Sequence, residues 1–203
     1  MSAKTEIHVI DYSTQNPGKF FLVNDFLSLR KKVFVDKLGW TIDTYHDLEF
    51  DQYDTFQSKY VVATVDDTVV GGARLLCTND ITPSGFGATP YTYMIKDAHD
   101  GILDGLPQGL CYEAPPVQSD VWEITRLCST SKKINTQEIM DECILALKGV
   151  GAEKALFICS PAGVRYAKRN GRNVDVIGPV HVNEDCKFQA ISFSIHGEQN
   201  ETK

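Results

Sequence analysis

Residues 121–160 read VWEITRLCSTSKKINTQEIMDECILALKGVGAEKALFICS, and this stretch decides the fold. With Asp120 and Thr130 at its ends, DVWEITRLCST is mostly apolar and β-branched, which predicts a strand. Asn135 or Thr136 then offers a helix cap. The helix is expected to run through about Lys148, with Gly149 and Gly151 to stop it. KALFICS is a short apolar run that suits a buried strand. PAGVRYAKRNG follows as a second helix, with Pro161 near its first turn and Gly171 at its end.

Working outward, KYVVATV (59–65) and TVVGGARLLCT (68–78) are two β-branched runs separated by Asp66-Asp67, a hairpin signal. EIHVIDY (6–12) alternates apolar and polar residues as a strand does. Residues from about Phe20 to Lys37 place Phe21, Leu22, Phe26, Leu27, Leu29, Val33 and Phe34 at helical spacing. An irregular stretch runs from there to about Gln57. Residues 79–121 are loop-rich, with a short helix expected around Met94–Ala98. NVDVIG (173–178) and KFQAISFSI (187–195) read as closing strands, and GEQNETK (197–203) as a frayed tail. Strands and helices alternate around a central hairpin without one strict repeat. The expected architecture is a single α/β domain over 1–203, a three-layer α/β/α sandwich with a mixed central sheet.

At 203 residues, 42% hydrophobic and 23% charged, the chain suits one packed soluble domain. No apolar run approaches the roughly 20 residues that span a bilayer. MSAKTEIHVI also lacks a secretory apolar region, so a cytoplasmic location without membrane insertion is expected. The six cysteines include no C-x-x-C pair and read as reduced core residues. The five histidines show no metal-ligand spacing, so no metal is expected. A net charge of −7 argues against a general nucleic-acid binder and leaves room for a local basic patch. G-x-S-x-G, Walker and G-x-G-x-x-G motifs are absent.

Chemistry concentrates first in RKKVFVDKLGWTIDTYHDLEFDQYD (30–54), where Phe34, Trp40, Phe50 and Tyr53 interleave with Asp43, Asp47, Glu49, Asp51 and Asp54. Carboxylates attract a small cation and aromatic faces hold it through their quadrupoles. The second constellation is Glu123 and Arg126 in an apolar strand. They form a solvated face, a structural ion pair or a functional pair. Residues three apart point to opposite faces of a regular strand, so a shared site requires a bulge between them. Arg74, after Gly71-Gly72, is either an edge charge or a ligand contact. The two glycines mark a bulge or a close backbone approach. Arg165, Lys168, Arg169 and Arg172 share one helical face if the last turn holds, and read as a solvated face or as a docking patch for an acidic partner.

Together these pieces resemble the acyl-homoserine-lactone synthase family, the autoinducer synthases of bacterial quorum sensing. The family pattern R-x3-F-x5-W followed by D-x2-D is matched by Arg30, Phe34, Trp40, Asp51 and Asp54. An Arg after small residues is matched by Arg74, and E-x2-R by Glu123 and Arg126. The similarity covers about residues 5–180. One departure is MIKDAH, with His99 where the family usually has Phe; the segment after it is longer than usual.

The resemblance implies an N-acetyltransferase-like fold and an acyltransferase with no cofactor, S-adenosylmethionine being a substrate. The methionine amino group would take an acyl group from acyl carrier protein or acyl-CoA. Lactonisation would then release methylthioadenosine. On this likeness Arg30, Phe34, Trp40, Asp51, Asp54 and Arg74 bind S-adenosylmethionine, and Glu123, as general base, and Arg126 are catalytic. The acyl chain lies near Ile124, Ile158 and Ser160, and Arg165, Lys168, Arg169 and Arg172 dock the carrier. Asp43, Asp47 and Glu49 are left as solvated loop charges. The alternative is an acetyltransferase-like enzyme that acylates another amine from acyl-CoA. RLCSTSKKIN counts against it, because it lacks the glycines of a pyrophosphate-cradling turn. A non-catalytic ligand-binding domain on the same fold is the third reading.

Overall fold

The computed structural model describes residues 3–12, 19–81, 90–183 and 186–196, so the expectation for the 197–203 tail lies outside the described residues. The chain forms two compact units, residues 1–76 with 124–146, and residues 77–123 with 147–203.

In the first unit, β1 (Thr5–Ile10) pairs antiparallel with β4 (Lys59–Val65), and β4 with β5 (Thr68–Cys77). The 124–129 part of β6 (Val121–Ser129) lies next to β5. Asp66 and Asp67, at φ 48° and 62°, make the two-residue turn that the hairpin signal predicts. The register slips after Ala63↔Gly71 to Thr64↔Val69, so Val70 bulges. Its carbonyl accepts the Thr130 N–H at 2.8 Å.

Gly71 and Gly72 explain how helices cover both faces. Successive strand residues point to opposite sides. A Cβ on Gly71 would stand 2.7 Å from Ile139 of α3 (Thr136–Gly149). A Cβ on Gly72 would stand 2.8 Å from the Phe26 ring of α1 (Phe20–Arg30) and 2.5 Å from the Val61 carbonyl. The paired glycines therefore let one helix approach from each side. Gly72→Ala is expected to destabilise the protein by about 1–3 kcal/mol, read from the urea midpoint, because a backbone carbonyl cannot move aside as a side chain can.

α1 buries Leu22, Val23, Phe26, Leu27 and Arg30, one helical stripe, against a core that includes Ile10, Tyr60, Val62 and Cys128. Arg30 goes inside because it occupies the last position of that stripe. The helix expected to Lys37 changes winding at Lys31 and runs as a π-helix over Lys31–Lys37. Two-residue strands β2 (Thr44–Tyr45) and β3 (Leu48–Glu49) form a small hairpin that no periodicity marks.

α3 starts as expected. The Asn135 side chain accepts the Gln137 and Glu138 N–H groups, and Glu138 accepts the Asn135 N–H at 2.7 Å, a reciprocal cap. Gly151, at φ 75°, lies just past its end.

In the second unit, β7 (Lys154–Cys159) pairs with β10 (Lys187–Ser194), and β10 with β8 (Val174–Val176) and β9 (His181–Val182), all antiparallel. α4 (Pro161–Arg169) packs on β7, β8 and β10, and α2 (Met94–His99) against β7. All six cysteines are free thiols, but only Cys77, Cys111, Cys128 and Cys143 are buried as the core reading expects; Cys159 is half-buried and Cys186 exposed. Among the described residues no helix is long and apolar enough to cross a membrane.

Candidate functional site

The D-x2-D spacing builds its own turn. The Asp51 carboxylate accepts the Tyr53 N–H at 2.9 Å, and Asp54 accepts the Asp51 N–H at 3.0 Å. Both carboxylates face three guanidinium groups. Asp54 takes two bonds from Arg30, at 2.7 and 3.0 Å, and pairs with Arg74 at 2.9 Å. Arg74 bonds both oxygens of Asp51. Asp51 meets Arg126 at 3.0 Å, Arg126 meets Glu49 at 3.1 Å, and Glu49 bonds Arg30. The result is a closed, charge-balanced ring of alternating arginines and carboxylates.

Most of this ring is inaccessible. The side chains of Arg30, Glu49, Asp54 and Arg74 are fully buried, while Asp51 keeps 11% and Arg126 8% exposure. Burial alone would raise the Asp54 pKa, but Arg74 and Arg30 outweigh it and hold the carboxyl well below its usual range. Burial and the neighbouring Arg74 would lower the Arg30 pKa; Asp54 and Glu49 reverse that. Burial pushes the Tyr60 phenol up, as does Asp54, which accepts its O–H at 2.9 Å.

Above the ring, Phe34 is buried and stacks on Trp40 with centroids 4.8 Å apart and planes 18° apart. The π-helical winding ends through the Leu38 N–H to Val33 and the Trp40 N–H to Phe34, with Gly39 at φ 70°. This tight exit brings the Trp40 indole back over Phe34. Arg126 lies 5.9 Å from the Phe34 ring centroid, and Trp40 remains 43% exposed.

The strand is irregular at Arg126. Arg126 has φ 55°, a left-handed conformation rare for a non-glycine residue in a strand. Thr125 accepts from Arg74 Nε at 3.3 Å while the next residue, Arg126, reaches Asp51. Consecutive side chains of a regular strand could not both reach this network.

Sequence reasoning missed Glu49. It is not a solvated loop charge, although Asp43 and Asp47 are exposed as expected. A usable signal was the Glu49-Phe50-Asp51 alternation: in extended chain it aims both carboxylates one way and Phe50, which is exposed, the other.

In the second unit, Glu123 is buried, and its oxygens accept the Met94 and Ile95 N–H groups at 2.9 Å each, clasping the start of α2. His99, at the end of α2, accepts the Cys111 N–H at 3.2 Å and so anchors the segment that follows. Ile124 is buried in the first unit; Ile158 is half-buried in the second. Ser160 caps α4 by accepting the Gly163 N–H. Arg165, Lys168 and Arg169 are exposed on α4. The last turn does not extend to Arg172, which is half-buried beyond the helix end, so the four-residue basic face shrinks to three. An open cleft of about 330 Å³ between segment 111–116 and Leu156 and Val176 contains none of the predicted site residues.

A sequence family described as autoinducer synthase matches residues 18–202. The chain is 30% identical over 183 residues to an acyl-homoserine-lactone synthase of Pseudomonas aeruginosa, covering 84% of this chain and 78% of that one. Among solved structures it is similar to BjaI, a CoA-dependent acyl-homoserine lactone synthase with SAM and isopentyl-CoA. The TM-score is 0.76 at 19% identity, over 95% of this chain and 84% of that one. It is also similar to an acyl-CoA N-acyltransferase from Pseudomonas aeruginosa, at TM-score 0.58 and 13% identity, over 94% and 99% of the two chains. These likenesses show the fold: N-acetyltransferase-like, with a mixed central sheet flanked by helices.

Proposed function

The chain belongs to the autoinducer synthase family and is an acyl-homoserine-lactone synthase, and from that premise we propose that its substrates are S-adenosylmethionine and an acyl thioester. The observation that carries this reading is the buried ring with two accessible members of opposite charge. A neutral network that presents only Asp51 and Arg126 complements a zwitterion: the carboxylate faces the ammonium or sulfonium, and the guanidinium faces the substrate carboxylate. Trp40, exposed and backed by the buried Phe34 ring, supplies the aromatic surface for the adenine. The fully buried Arg30, Asp54 and Arg74 set the charges that the ligand meets.

The α-ammonium first gives a proton to Glu123, our candidate base, directly or through water. The free amine attacks the thioester carbonyl; the C–N bond forms, the C–S bond breaks, and the thiolate leaves with the second amine proton. The methionine carboxylate oxygen then attacks its own γ-carbon. The carbon–sulfonium bond breaks, and neutral methylthioadenosine departs from the lactone. No cofactor is required, and the reaction belongs in the cytoplasm, where both substrates are made. Ile124, Ile158 and Ser160 are the proposed acyl-chain contacts. Arg165, Lys168 and Arg169, exposed on α4, suit an acidic carrier protein, with Arg172 at the edge of that patch.

Incubation with S-adenosylmethionine and matched acyl carrier protein and acyl-CoA donors tests this. Methylthioadenosine and acyl-homoserine lactone are expected together in the mass spectrum. Consumption of acyl-CoA without S-adenosylmethionine would favour acylation of another amine. Against that second reading, the turn after β6 spends its N–H groups internally. Ser129 accepts from Ser131, Ser131 from Lys133, and Asn135 from Gln137 and Glu138.

A further inference from the structure

We propose that His99 is a positioning residue for Glu123: by accepting the Cys111 N–H it fixes the far end of α2, and so keeps the first two amides of that helix on the Glu123 carboxylate. This rests on the reading of Glu123 as the base and adds a residue that acts through it.

α2 spans only Met94–His99, and its N-cap residue Tyr93 makes no side-chain cap bond. The Met94 and Ile95 N–H groups therefore take their partners from β6, one on each Glu123 oxygen at 2.9 Å. At 1.5 Å per residue the helix is about 9 Å long, so slack at one end becomes tilt at the other.

The segment after α2 ties both of its ends. The Tyr93 O–H, just before the helix, donates to the Pro116 carbonyl at 2.6 Å. At the far end the His99 carbonyl accepts the Gly109 N–H at 2.9 Å, and the Nδ1 of its ring accepts the Cys111 N–H at 3.2 Å. The segment is itself fixed. The Tyr112 N–H reaches the Ile177 carbonyl at 2.9 Å, and a Cβ on Gly178 would stand 2.1 Å from the Leu110 carbonyl oxygen. The Glu123 charge reaches this strap. Burial pushes the Cys111 thiol up to about 11 with Glu123 adding to it, and burial and then Glu123 raise the Tyr93 phenol. A displaced strap therefore alters the surroundings of the carboxylate as well as the helix on it. His99 and the longer segment, the two departures from the family pattern, are one contact.

His99→Phe keeps a ring and removes the acceptor. It is expected to lower kcat by roughly 10- to 100-fold, the scale of a small misplacement at a reacting group, with the calorimetric Kd for S-adenosylmethionine within about twofold. Amide exchange followed by NMR should quicken by roughly 2- to 10-fold at Met94, Ile95 and Cys111, the range for one lost hydrogen bond. His99→Asn puts its Oδ1 at the position of Nδ1 and should restore both readouts; His99→Gln carries its acceptor farther out and should not. Added to Glu123→Gln, His99→Phe should cost no further rate, because it acts through the carboxylate. Wild-type kcat in a folded His99→Phe protein, equal kcat for the Asn and Gln variants, or multiplying effects in the double variant would overturn the role. Where His99→Phe does not fold, the Asn and Gln variants decide alone. Wild-type protein that forms no lactone from S-adenosylmethionine defeats the reaction reading. Exchange at Met94 and Ile95 then decides whether His99 holds the helix on Glu123.

Discussion

Asp54→Asn is expected to destabilise the protein by about 3–5 kcal/mol, the range for removing one partner from a buried ion pair. For a chain of 203 residues this lowers Tm by roughly 10 °C. The substitution preserves volume, so the loss is electrostatic. Arg30 and Arg74 both pair with Asp54, both are fully buried, and without the carboxylate they repel each other. Asn also cannot accept on both sides, so the Asp51 N–H or an arginine loses a partner. Asp54→Asn combined with Arg74→Met rebalances the charge and should recover part of the loss. A loss under about 1 kcal/mol in urea unfolding would contradict the ring as a structural element. The pH dependence has a definite sign. Because the folded-state pKa of Asp54 is depressed, its stabilisation is complete above the unfolded value of about 3.9. It is lost as the pH falls from there through the folded value, so wild-type protein should lose stability in strong acid along a slope that Asp54→Asn flattens.

Glu123→Gln is expected to cut kcat by about 10²–10⁴, the usual contribution of a general base. Its effect on folding should be smaller, because the Gln carbonyl can still accept from one of the two α2 amides. The other amide loses its partner, at a cost of about 1–3 kcal/mol. The two roles give different readouts. If Glu123 only clasps α2, activity falls in step with Tm and returns in the cold, where the variant is folded. If it also takes the ammonium proton, the loss persists at full folding. A folded Glu123→Gln protein with wild-type kcat would remove the base assignment.

The family could be read from eight residues in order, and the secondary structure from periodicity. Asn135 caps α3, Asp66-Asp67 turns the β4–β5 hairpin, and Gly71-Gly72 marks a close approach because only glycine tolerates one. Elements without a period escaped. The two-residue strands β2 and β3 are too short to alternate detectably, and the π-helical winding over Lys31–Lys37 keeps an apolar pattern like that of an α-helix.

The sequence by itself determined the family and where along the chain the residues of its pattern stand, because motif spacing, helical stripes, caps and tight turns are local. It also required a distortion between Glu123 and Arg126 if both were to act. Only the tertiary structure decided how the charges are divided. Glu49 and Arg126, 77 residues apart, meet through folding alone, and a residue that reads as a loop charge becomes part of a buried ion-pair network. The same convergence buries Arg30, Asp54 and Arg74 completely and leaves Asp51 and Arg126 only slightly exposed. Local pattern carries no information about which of several like charges will be desolvated. That depends on long-range pairing, since a charge enters the interior only where opposite charges arrive with it.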